Sequence, residues 1–217
     1  MQSHSEENYL KTIYLLSRKE GGKVRVTALA AALGNNAASV IDMLKKLTEK
    51  KLVAYDKIKG ARLSEAGQKA ALQTIRRHRL WELFLQTKLG YTWDEVHEIA
   101  EQLEHVQDEQ LADKLDEFLG YPKYDPHGES IPKSNGRISE LRTRTLMEII
   151  PGKSCKVVAV RDTSKSFLQY LVRLNIGIGA ILKVVEKIDY DSSLVVLINN
   201  SNTTTISAKL AESIFVN

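Results

Sequence analysis

The 217 residues include a single cysteine, Cys155, so no disulfide can form within the chain. That suits a reducing, cytoplasmic setting. Long apolar runs are also missing. None approaches the ~20 residues needed to span a bilayer, so no membrane partner is expected. The opening Met-Gln-Ser-His-Ser-Glu-Glu has neither a basic n-region nor an apolar h-region and predicts no secretion signal. What remains is an ordinary globular composition, 43% hydrophobic and 27% charged. It is long enough for one large domain or two to three small ones.

The net charge of +4 conceals a segregation. Residues 1–80 carry 16 Lys and Arg against 7 Asp and Glu, residues 81–130 carry 3 against 13, and residues 131–217 carry 12 against 7. A basic N-terminal block is the footprint of a phosphate-binding surface. In the acidic block crowded carboxylates repel one another, and a divalent cation relieves that. The plainer alternative is a solvated pair of acidic helices.

The basic block reads as a winged helix-turn-helix. Ser3 and Glu6 have capping-box spacing and open a helix whose apolar face is Tyr9, Leu10, Ile13, Tyr14 and Leu16, and Gly21-Gly22 ends it. A short helix over 26–33 follows, with Thr27 as its expected cap. Gly34-Asn35-Asn36 makes a tight turn into a helix over 37–51. A strand at 52–55, a basic turn at 56–61 and a return through Arg62 form the wing. The second short helix would enter a major groove with Asn35, Asn36, Ala38, Ser39 and Asp42 near base edges. Lys45 and Lys46 would lie beside the backbone. Lys57, Lys59 and Arg62 in the wing, with Arg25 and Thr27, complete the candidate DNA-binding set.

The acidic block holds the other signal. A helix-length segment at 94–106 places His97, Glu101, Glu104 and His105 at i, i+4, i+7 and i+8, on one side of a helix. Val96, Ile99, Ala100, Leu103 and Val106 fall on the other. His78 and Glu82, at i and i+4, share a face of a long helix from Ser64 to about Lys88. The six donors could make one dinuclear site or two close mononuclear ones. All are N or O donors, which suits Mn(II), Fe(II) or Zn(II). A third helix over 107–119 carries an apolar stripe for core packing or a dimer contact. The segment 121–132 holds three prolines and reads as an irregular linker, although an extended loop could bring Asp125 and His127 to one cation.

These stretches resemble the diphtheria-toxin-repressor family of iron- and manganese-dependent transcriptional regulators. The matching segments are Glu-Asn-Tyr-Leu-Lys-Thr-Ile-Tyr at 7–14, Arg-His-Arg-Leu at 77–80, Val-His at 96–97, Glu-His-Val at 104–106 and Asp-Pro-His-Gly at 125–128. The resemblance implies two metal sites per subunit. A regulatory site would use Glu101, Glu104 and His105 with a group near Asn8. A second would use His78, Glu82 and His97, or else Glu82, Asp125, His127 and Asp162. Iron-responsive members have a cysteine where this chain has Glu101, so the manganese branch is the nearer match. Manganese-type members have an aspartate where this chain has Asn8. Mn(II) or Fe(II) is the expected cofactor, with Zn(II) a possible substitute.

Residues 133–152 read as a polar linker with a short segment at 138–150 that could pair or pack. Beyond it, strand-like runs at 156–161, 180–185, 193–198 and 203–206, with a short helix at 166–174, argue a small β-barrel. The closing residues look like the end of the SH3-like domain some family members carry. The expected fold is therefore mainly α, with a winged helix-turn-helix (1–72), a helical dimerisation and metal-binding domain (73–132), a linker (133–152) and a C-terminal SH3-like, FeoA-type β-barrel (153–217). The expected function is a metal-activated, homodimeric DNA-binding regulator, a repressor of metal-uptake genes on a palindromic double-stranded operator. The alternatives are a dinuclear metallohydrolase on the same helices and a DNA-binding dimer without metal dependence.

Overall fold

The computed structural model describes residues 2–139 and 143–217. It divides into two units. One gathers the chain up to His78 with Gln102–Asp113 and Pro132–Arg137; the other gathers Arg79–Glu101, Lys114–Ile131 and Ile138–Asn217.

The first unit begins with α1 (His4–Glu20). Ser3 and Glu6 form the predicted capping box, and Gly21 closes the helix with a left-handed φ of 74°. Helix α2 (Val26–Leu33) is capped by Arg25 without a side-chain bond, so Thr27 is a helical residue and not the expected cap. Gly34, at φ 64°, turns the chain toward α3 (Ala37–Glu49), where the Asn36 side chain accepts from Ser39 N. Tyr9, Leu10 and Ile13 of α1, Leu29 of α2 and Val40, Leu44 and Leu47 of α3 are buried. Strands β1 (Val53–Asp56) and β2 (Gly60–Leu63) form the predicted hairpin, with Val53 opposite Leu63. Val24 adds two backbone hydrogen bonds to Ala61, at 2.9 and 2.8 Å. Helix α4 (Glu65–Leu89) starts from Ser64, whose hydroxyl accepts from Gly67 N, and its first turns belong to this unit.

The segment predicted as one helix over 94–106 is shorter. Helix α5 covers Val96–Leu103, and Glu104 and His105 lie in the turn beyond it. Helix α6 (Glu109–Phe118) follows. In the second unit Leu80, Leu115 and Ile131 form a small apolar core with Trp81, Leu83, Phe84 and Leu119.

The expected barrel is not formed. Strands β3 (Arg144–Thr145), β4 (Ser154–Val160), β5 (Ile181–Lys187), β6 (Leu194–Ile198), β7 (Asn202–Ile206) and β8 (Ile214–Val216) make one open sheet in the order β3-β8-β4-β5-β6-β7. Every pairing in it is antiparallel. Closure needs the two edge strands to pair in a continuous stagger. Here one edge is only two residues long, and the other, Asn-Thr-Thr-Thr-Ile, is largely exposed and polar, a device that blunts an edge. Bulges in β4 and β5 bend the sheet without closing it. Helices α7 (Lys165–Arg173) and α8 (Ala208–Glu212) contribute Leu168, Leu171 and Leu210 to the core beside Val157, Leu182, Val184, Leu194 and Val196. β3 lies inside the stretch read as a linker and pairs with β8. Residues 140–142 of the predicted pairing segment lie outside the described residues.

Candidate metal centres and the DNA-reading helix

In the first unit the charges converge on Glu104, which is fully buried. Lys11 Nζ lies 2.7 Å from its Oε1 and 2.9 Å from its Oε2. His78 Nδ1 lies 2.6 Å from Oε2. Burial works against the charged carboxylate, but the contacts with His78 and Lys11 outweigh it and hold the pKa below the ordinary glutamate value. His105 Nδ1 is 2.6 Å from Glu7 Oε2, its Nε2 is 3.8 Å from Glu104 Oε1, and its ring stacks on His4 with centroids 4.5 Å apart. Arg77 donates to Glu7 Oε1 at 2.7 Å and to the Glu104 carbonyl. Asn8 Oδ1 is buried and has no hydrogen-bond partner. Glu104, His78 and His105 are O and N donors of the kind a divalent cation takes, and the orphaned Asn8 oxygen is a further oxygen donor on α1.

In the second unit Glu82, Asp125 and His127 are all buried, and each can offer a ligand atom within 4.8 Å of the others. The loop reads as a linker by spacing alone, yet it is a tight turn. Asp125 Oδ1 accepts from His127 N at 2.8 Å and Glu129 N at 2.9 Å, and His127 O accepts from Val160 N of β4 at 3.0 Å. His127 Nε2 lies 2.8 Å from the Trp93 carbonyl. A carbonyl can only accept, so Nε2 carries hydrogen and Nδ1, 3.5 Å from Glu82 Oε2, faces the cluster. Burial, then the charge of Glu82, pushes the Asp125 carboxyl up to about 7. Burial disfavours the charged form of His127, but Glu82 and Asp125 outweigh it and raise its pKa. Asp125 Oδ2 is buried and makes no hydrogen bond, but lies 3.5 Å from Arg79 Nε. This donor set also fits a divalent cation. His97 Nδ1 sits 3.1 Å from Glu82 Oε1, and its Nε2 is 3.7 Å from Glu101. Asp162 is exposed and outside the group; its Oδ1 accepts from Ser164 N ahead of α7.

The candidate DNA-binding residues Arg25, Thr27, Asn35, Asn36, Ala38, Ser39, Asp42, Lys45, Lys46, Lys57, Lys59 and Arg62 are all exposed. Several are already engaged. Asn36 caps α3 through Ser39 N, Asn35 Nδ2 donates to Tyr9 at 3.2 Å, and Lys45 pairs with Asp42. Lys46 is held by Glu6, 2.9 Å away, which also takes Lys50 at 2.8 Å. Glu6 is therefore more than the cap its spacing suggests. Burial works against its charge, but Lys50, Lys46 and the Ser3 backbone lower its pKa to about 2. Glu6, Glu7 and Lys11 carry no site signal in the sequence beyond the Glu6–Ser3 spacing.

Glu6→Gln should lower stability by roughly 1–2 kcal/mol at neutral pH, since Glu6 is buried but its lysines are half in solvent. The carboxylate's contribution is complete above its ordinary value of 4.5 and is lost as pH falls toward about 2. Urea unfolding of both proteins at pH 7 and at pH 2.5 reads this. An unchanged gap between them at the two pH values counts against it.

The comparisons with known proteins give this arrangement a family. "Iron dependent repressor, N-terminal DNA binding domain" matches residues 1–61, "Iron dependent repressor, metal binding and dimerisation domain" matches 64–133, and "FeoA domain" matches 144–217. The "HTH-type transcriptional regulator MntR" of Geobacillus kaustophilus is 31% identical over 121 residues, 56% of this chain and 84% of that protein. The chain belongs to the diphtheria-toxin-repressor family. A solved "Manganese-dependent transcriptional repressor complex with manganese" is 33% identical with a TM-score of 0.87, covering 97% of this chain and 98% of that one. A "Probable metal transport system membrane protein" of Chlamydia trachomatis is 42% identical over 71 residues, 33% of this chain but only 16% of that protein. As a member of the diphtheria-toxin-repressor family the chain is a metal-dependent DNA-binding transcriptional regulator and not an enzyme. Among the described residues no helix is long and apolar enough to cross a membrane.

Proposed function

We propose that the chain is a homodimeric repressor of metal-ion uptake genes, activated by Mn2+ or Fe2+ and acting on a palindromic operator. The observation that carries this reading is the buried charge cluster around Glu104, which joins α1 to the turn after α5. Manganese is the favoured ion, since a regulator alike over nearly its whole length is described as manganese-dependent and its structure contains manganese. Asn8, Glu104 and His105 belong to a first site, and Glu82, Asp125 and His127 form a second. Residues 1–72 act as the DNA-binding module, 73–132 as the dimerisation and metal-binding module, 133–152 as the connection and 153–217 as the appended sheet. Exposed Leu89 and Phe118 supply apolar surface for the dimer.

When bound, a cation held by Asn8, Glu104 and His105 would strengthen the link between α1 and the turn after α5 that Lys11 and Glu7 already make. The chain's own residues relay that link. Consecutive positions of α1 face two ways: Glu6 holds the end of α3 through Lys46 and Lys50, and Glu7 holds His105. A shift of α1 therefore moves the reading helix, and two half-sites must match the spacing of two reading helices. A few kcal/mol of differential affinity suffices.

The test is a titration of operator duplexes, selected from random DNA in the presence of Mn2+, with the protein in Mn2+, in Fe2+ and in chelator. Binding should be at least tenfold tighter with metal. Equal affinity in chelator and in both metals sinks the reading in favour of a metal-independent DNA-binding dimer. Asn8→Asp should add charge to the first site and tighten Mn2+ binding severalfold; an unchanged titration means that Asn8 supplies no ligand.

A further inference from the structure

Lys11 is the least expected member of the Glu104 cluster. It is a cation, it is buried, and it comes from α1, far from Glu104 in sequence. Its ammonium touches both oxygens of the carboxylate, at 2.7 and 2.9 Å, and so covers the edge through which a carboxylate chelates a metal ion. His78 and His105 approach the same carboxylate, at 2.6 and 3.8 Å. Asn8, whose Oδ1 lacks a partner, stands three residues before Lys11 and so on the same face of α1. The ammonium thus lies on the carboxylate that both imidazoles also approach.

We propose that Lys11 is a tethered competitor for the cation at Glu104, a positioning residue that sets the metal concentration at which the site fills. The inference rests on the reading of Glu104 as a metal ligand. Without metal, the ammonium neutralises a carboxylate that is expensive to leave buried and charged. Glu104 would be free to hold a metal ion only with the ammonium moved off its carboxylate. The long, flexible lysine stem lets the head group swing aside while its methylenes stay packed. A weakly bound cation then fails to fill the site, while one that also gains the His105 imidazole succeeds.

The test uses the full-length protein. Isothermal titration with Mn2+ and thermal melts in chelator are run on the wild type and on Lys11→Met, Lys11→Arg and Glu104→Gln. Lys11→Met should melt lower in chelator yet bind Mn2+ about tenfold more tightly, while Lys11→Arg, which keeps a cation, should stay near the wild type in both. A role in packing alone would lower the melting temperature without tightening Mn2+. In the wild type, diamagnetic Cd2+ should shift the Lys11 15Nζ resonance as the ammonium leaves Glu104. Lys11→Met with Mn2+ affinity equal to or weaker than the wild type, while Glu104→Gln weakens it, overturns the inference alone. If Glu104→Gln binds Mn2+ as the wild type does, the reading of Glu104 as a ligand fails first.

Discussion

Gly128→Ala should destabilise the second unit by roughly 3 kcal/mol and weaken metal binding at the proposed site of Glu82, Asp125 and His127. Gly128 sits at φ 82°, in the left-handed region, inside the turn that carries Asp125 and His127. A Cβ there would stand 2.0 Å from the Val158 carbonyl oxygen and 2.5 Å from Ala159 Cα. Both are backbone atoms of β4, so no rotamer change relieves the overlap. The loop would have to lift from the strand, and the bond from Val160 N to His127 O holds it there. Lifting it takes His127 from Trp93 and Glu82. Gly152→Ala is the control. Its φ is 87°, but nothing lies within 4 Å of its added Cβ, so it bears only the backbone term of about 1 kcal/mol. Urea unfolding of both variants reads the difference. Equal losses would mean that the clash at Gly128 is absorbed without moving the loop.

The reading module was legible because its signals are local. Ser3 with Glu6, Gly21, Gly34 and Asn36 each mark a helix end within four residues, and the backbone obeys them. The length of α5 was not legible. Its periodicity runs on to Val106, but the backbone leaves the helix after Leu103, and Glu104 meets Lys11 and His78 from the turn that follows. Contacts from residues far away in sequence override a helical repeat. The donors His78, Glu104 and His105 stood out by residue type. Glu7 and Lys11 did not, because an acidic and a basic residue in the first turns of a helix look like ordinary surface charge. Their burial comes from partners more than 90 residues away. The loop at Asp125 looked like a linker because spacing does not reveal that it lies against β4. Strand count and spacing argue a barrel, whereas closure depends on the length and pairing of the two edge strands.

Glu104→Ala should abolish the metal response of DNA binding and lower stability by about 3–5 kcal/mol in chelator, the range for breaking one side of a buried ion pair. The two effects share a cause but separate experimentally. Glu104 compensates Lys11, whose side chain is only 10% exposed, and it faces His78 as well. Once the carboxylate is gone, the buried ammonium loses the two oxygens it touches and a cavity is added. Adding Lys11→Met to Glu104→Ala removes that ammonium, so the double variant should be more stable than Glu104→Ala alone by at least 1 kcal/mol, despite carrying one more substitution. It should not regain any metal response, because the proposed ligand is still missing. Chemical unfolding in chelator and operator titration in Mn2+, run on the four corners of the cycle, read both effects. Additive losses in stability would show that Lys11 and Glu104 are not energetically coupled. A double variant that again binds operator more tightly in Mn2+ than in chelator would show that the switch lies elsewhere than at Glu104.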